Sequence, residues 1–120
     1  MNKVAIAGLG LVLAAGLAGQ VLAADSSAAK SVTGTLEDSY CYGTMGAKGP
    51  SHKHCATECA KKGIPVSLVD GSGNIYILLP PKNNEPLPDD VISKMEDQVT
   101  VTGKEYSKGG VNFLTVESLK

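Results

Sequence analysis

Two short apolar runs, Pro65-Val66-Ser67-Leu68-Val69 and Ile75-Tyr76-Ile77-Leu78-Leu79, are joined by Asp70-Gly71-Ser72-Gly73-Asn74. β-Branched and aliphatic flanks suit a pleated, half-buried surface, and the Gly, Asp and Asn between them supply the turn, so this stretch reads as a β-hairpin. A second hairpin is predicted from Gln98-Val99-Thr100-Val101-Thr102-Gly103 and Val111-Asn112-Phe113-Leu114-Thr115-Val116, turning through Ser107-Lys108-Gly109-Gly110. Val32-Thr33-Gly34-Thr35-Leu36-Glu37-Asp38 alternates and supplies the fifth strand. Five strands at this spacing predict a mostly β fold, a small five-stranded antiparallel barrel with one or two short helices.

The helices are placed by their punctuation. Ser51 is a good N-cap and Gly63 a good stop, so residues 51–62 are expected to form one short helix. Asp89 or Asp90 is expected to cap a second through Val91-Ile92-Ser93-Lys94-Met95. Residues 39–50 hold three glycines and a proline and are expected to be irregular. Residues 39–63 are thus expected to form an insertion in a barrel domain spanning 32–120.

The first residues have another purpose. Lys3 precedes an uncharged apolar run from Val4 to Leu22, and Val21-Leu22-Ala23 offers the small residues that signal peptidases read. A signal peptide over 1–23 is expected, with Ala24 the second choice of cleavage site, followed by a flexible leader over 24–31. The protein is then expected to be periplasmic or secreted, with no stable membrane anchor after cleavage. Beyond residue 23 the chain carries ten Lys, twelve acids and no Arg, a balance that argues against a nucleic-acid partner. It has no Trp and one Phe, so aliphatic packing must build the core.

All three cysteines and both histidines lie between Cys41 and Cys59. On a helix over 51–62, His52, Cys55, Ala56 and Cys59 fall at i, i+3, i+4 and i+7, which is one face. Cys41, carried in by the preceding glycine-containing loop, would complete a site over that face. Three sulfurs and an imidazole suit soft or borderline ions, copper first and zinc second. The expected metal ligands are Cys41, His52, Cys55 and Cys59, with Met45 and His54 as possible additions. Near a helix start, and beside Lys53, the Cys55 thiol is also expected to ionise more readily.

Other readings stand beside this one. Outside the cytosol Cys41 is free to pair with Cys55 or Cys59 in a disulfide, leaving one thiol for a partner protein. A Cys55–Cys59 bond within one helical turn would strain it. Thiol exchange is a third use, although no Cys-x-x-Cys is present. No Ser/His/Asp arrangement, phosphate-binding glycine loop or haem-attachment motif occurs, and no enzymatic activity is expected.

Asp38-Ser39-Tyr40-Cys41, the His-x-x-Cys-Ala-x-x-Cys run from His52 to Cys59, Gly63-Ile64-Pro65-Val66, the Ile75-Tyr76 strand and Val99-Thr100-Val101-Thr102-Gly103 together resemble a group of small exported bacterial proteins with an OB-like barrel. The resemblance implies that the barrel is OB-like. It implies no particular activity.

Overall fold

The computed structural model describes residues 28–120. The expected signal peptide and residues 24–27 of the expected leader lie outside the described residues. Five strands form the wall: β1 (Ala29–Asp38), β2 (Val66–Asp70), β3 (Ile75–Leu79), β4 (Gln98–Lys108) and β5 (Val111–Thr115). Their order is β1-β2-β3-β5-β4, and β4 pairs back to β1, so the sheet closes into a barrel. A two-residue strand, β6 (Ser118–Leu119), hangs on the edge of β4.

Four of the five pairings that close the barrel are antiparallel, as expected. The exception is β3 with β5, which run parallel in register Tyr76↔Asn112 to Leu79↔Thr115. The two expected hairpins therefore do not stack as a simple meander. The chain leaves β3, crosses the end of the barrel through residues 80–97, and inserts β4 on the far side, against β1. The closed five-stranded barrel expected from the strand pattern is the one observed.

Two strands bend from one neighbour to the next. β1 pairs with β4 over Ala29–Thr35 and with β2 over Gly34–Asp38. β4 turns from β1 to β5 just after Gly103. At both corners the backbones approach so closely that no side chain fits. A Cβ on Gly34 would lie 2.4 Å from the Val69 carbonyl oxygen, and one on Gly103 would lie 1.5 Å from that of Thr115. The expected leader ends earlier than the sequence pattern indicated. Residues 29–31 pair with Thr102–Lys104, because β4 offers them an unpaired edge.

Register places apolar residues opposite one another inside. Leu36 faces Leu68, Val32 faces Val101, and Leu78 lies beside Leu114. These six are buried together with Val66, Val99 and Met95, as the scarcity of aromatic residues required. Burying each such side chain contributes about 1.5–3 kcal/mol relative to exposure.

Among the described residues, three helices cover the barrel. α1 (Ser39–Met45) follows β1 directly, α2 (Lys53–Lys61) follows a 3-10 turn at Pro50–His52, and α3 (Asp89–Ser93) precedes β4. α1 was expected to be irregular. It forms because Asp38 caps it, its Oδ1 accepting from the Cys41 backbone N–H at 2.8 Å, and Gly46 ends it in a left-handed conformation at φ 64°. The helix expected over 51–62 is tightened at its start into the 3-10 turn, because Pro50 opens it. Pro88 takes the N-cap position of α3, and Asp89 and Asp90 lie in its first turn rather than as caps. Ala56 and Ala60 of α2 belong to the core, and their small size lets the helix lie close on the barrel end with Val91 and Met95.

Candidate metal centre

α1 and α2 meet where β1 ends. Cys41 lies in the first turn of α1 and is buried, 6% exposed. Cys55 and Cys59 stand one turn apart on α2, next to the Ala56/Ala60 stripe that faces the core. Their Sγ atoms and that of Cys41 all lie within 4.8 Å of one another. All three are free thiols, and their exposure is graded: Cys41 buried, Cys59 intermediate, Cys55 exposed. Three sulfurs bonded at ~2.3 Å to one ion stand roughly 4 Å apart, so this spacing fits a shared cation.

His52 takes a different place from the one its spacing implied. It ends the 3-10 turn, and its Nε2 lies 2.8 Å from Asp38 Oδ2. Asp38, Cys41 and His52 form a second group with ligand atoms within 4.8 Å of one another. The expected four-residue set therefore divides into two groups that share Cys41. Both can hold a metal ion.

Asp38 is the residue that sequence reasoning missed. It is fully buried, and each of its carboxylate oxygens is hydrogen-bonded, Oδ1 to the Cys41 N–H and Oδ2 to His52. Burial alone would push its carboxyl up, but the Cys41 N–H and His52 outweigh that and hold it below the usual range. Asp38 is thus a carboxylate, and Nε2 of His52 is the donor between them. The spacing Asp-x-x-Cys was the available signal, since an N-cap acid accepts from the backbone three residues on.

The same surroundings act in the opposite sense on the thiols. Burial pushes Cys41 up to about 12, and the Asp38 carboxylate beside it adds to the effect. Cys59 is raised as well, by burial first and then by Asp38 and Cys55. Both thiols hold their protons until a cation replaces them. Lys53, expected to favour a Cys55 thiolate, instead donates to Asp97 Oδ2 at 2.7 Å. Met45 is 68% exposed at the end of α1, and His54 is exposed on α2. His54 joins neither group.

Beside the centre lies a buried acid pair. Glu37 and Glu96 are 2% and 7% exposed, and Glu37 Oε2 and Glu96 Oε1 have no donor as carboxylates. One proton held between them satisfies both oxygens. Burial, and then Glu96, pushes the Glu37 carboxyl up to about 8, against a smaller opposing pull from Lys48. Glu96 sits in a left-handed conformation at φ 67°. Its Oε2 accepts from the Gly49 N–H at 2.8 Å, so it anchors the loop that leads into the 3-10 turn and α2.

Comparison of the chain with protein-family models, curated proteins and solved structures returned no match.

Proposed function

We propose that this chain is a small exported metal-binding module whose ligand core is Cys41, Cys55 and Cys59, taking copper first and zinc second. Its work is to bind, deliver or sense the ion outside the cytosol, without catalysis. The observation that carries this reading is the convergence of three sulfurs from two helices to within 4.8 Å of one another. Soft thiolates favour Cu(I) and Zn(II) over hard cations. The apolar start of the chain supports export, and the graded exposure of the thiols gives an ion a solvent-side entrance at Cys55.

The test is the mass and metal content of the exported protein, isolated under native conditions and measured again after denaturation and alkylation. One bound ion with three alkylated thiols is the expected result. The loss of two hydrogens, one alkylated thiol and no ion would overturn it in favour of a disulfide-stapled interaction domain, whose third thiol is open to an exported partner protein. Residual anchoring to the membrane fraction would contradict cleavage of the signal.

A further inference from the structure

We infer that Asp38 sets the metal preference of the thiol site: it holds His52 outside the coordination shell, so the site takes three-coordinate Cu(I) in preference to four-coordinate Zn(II). This rests on the metal-binding reading above and names which ion that site selects and which residue makes the selection.

The geometry carries it. His52 has the position in the chain to be a fourth ligand, three residues before Cys55. It is drawn instead to the end of β1, where its Nε2–H donates to Asp38 Oδ2 at 2.8 Å. Its ring nitrogen is grouped with Asp38 and Cys41 and not with Cys55 and Cys59. A histidine that ligates a metal often donates its other N–H to a carboxylate, which presents the free nitrogen to the ion. Here Asp38 holds the ring where its ligand atom lies within 4.8 Å of Cys41 but not of both Cys55 and Cys59. Asp38 is itself immobile, being fully buried and tied by its other oxygen to the Cys41 N–H at 2.8 Å. The residue that orients Cys41 toward the sulfur cluster is the one that keeps His52 from it.

The consequence is chemical. Structural zinc is almost always tetrahedral, so three sulfurs alone leave it one ligand short. Cu(I) is softer and is content with thiolates. Cys55 stands exposed, so the excess negative charge of a thiolate-bound monovalent ion is hydrated on that side. Asp38 is a positioning residue here and touches no ion.

The experiment is competition between Cu(I) and Zn(II), each against a chelator of known affinity, with X-ray absorption of the loaded protein. Wild type is expected to show a copper shell of three sulfurs and no imidazole nitrogen. Asp38→Ser keeps a capping oxygen for the Cys41 N–H but is too short to hold His52. It is expected to tighten zinc about tenfold relative to copper, the scale on which outer-shell partners act, with one nitrogen entering the zinc shell. Asp38→Ser combined with His52→Gln should return the ratio to that of wild type. His52→Gln alone, whose amide N–H still donates to Asp38, checks the inference independently of any folding defect at position 38. It is expected to leave the copper shell unchanged. An imidazole nitrogen in the wild-type copper shell would overturn the inference, as would a zinc-to-copper ratio that stays level in Asp38→Ser. So would weakening of copper about tenfold or more in His52→Gln. Failure of wild type to take up either ion would instead overturn the metal-binding reading itself.

Discussion

Glu37 and Glu96, one a residue short of the end of β1 and one two residues before β4, bury their carboxyl groups against each other, and one proton between them satisfies both. The pair makes folding sensitive to pH in a definite direction. Glu37 is raised from 4.5 to about 8 in the folded chain, so the folded state binds the proton more tightly than the unfolded one. Its contribution is complete below about pH 4.5 and is lost as pH rises through about 8. Denaturant midpoints are expected to fall between pH 5 and pH 9, and Glu37→Gln is expected to flatten that profile and to be the more stable form at pH 9. A midpoint that climbs over this range would contradict the shared proton.

The cap on α1 is open to the same kind of measurement. Asp38→Ala removes the acceptor of the Cys41 N–H and the partner of His52. The cap alone is worth about 1 kcal/mol, and the half-buried imidazole N–H left without its acceptor adds about 1 kcal/mol, the low end for a buried donor. A loss of about 2 kcal/mol or more in urea unfolding is expected, against a smaller loss for Asp38→Ser.

The thiols are expected to separate by exposure. Cys55 is exposed, so Cys55→Ser should change stability by no more than ~0.5 kcal/mol while abolishing metal uptake. Cys41 is buried, and Cys41→Ser places a hydroxyl there at a cost of about 1–3 kcal/mol. Thermal unfolding and metal content, measured on the same samples, check both.

Loading should stabilise the folded chain. An ion free at one hundred times its dissociation constant adds about 2.7 kcal/mol, provided that the unfolded chain does not bind it. A strong chelator is expected to reverse the gain in full. An unchanged melting temperature on loading would mean that the ion binds the folded and unfolded chains alike.

Gly103 tests the barrel corner. A methyl group there meets the Thr115 carbonyl oxygen at 1.5 Å, so the strands must separate for Gly103→Ala to fold. A cost of about 3 kcal/mol is expected. Gly71→Ala, with open space around it, serves as the comparison and should be mild.

The strands were legible because their alternation is local. Val32, Leu36, Leu68 and Val101 announce an inward face without knowledge of their partners, and the turn residues announce the hairpins. The parallel pairing of β3 with β5 was not legible, since it depends on where residues 80–97 carry the chain and not on any residue in either strand. α1 was hidden for a different reason. Its glycines point to a loop, and its cap belongs to the preceding strand. The cysteines of the candidate centre could be read from composition and spacing. The turn of His52 toward Asp38 could not, because Pro50 tightens the helix start, and helical spacing then overestimates how far His52 shares a face with Cys55. Glu37 and Glu96 are far apart in sequence, and only the closed barrel makes them neighbours.

Closure of the barrel by β1 and β4 sets the timetable of the whole molecule. Residues 29–35 are sealed only when residues 98–104 arrive, so the oldest strand waits for nearly the last. All three cysteines precede β4 in the chain, so the helices that carry them are complete before the barrel can close. Such distant pairings are slow to form. Until β4 docks the barrel stays open, and Cys41 has yet to gain the burial that sets it apart from Cys55 in the finished fold.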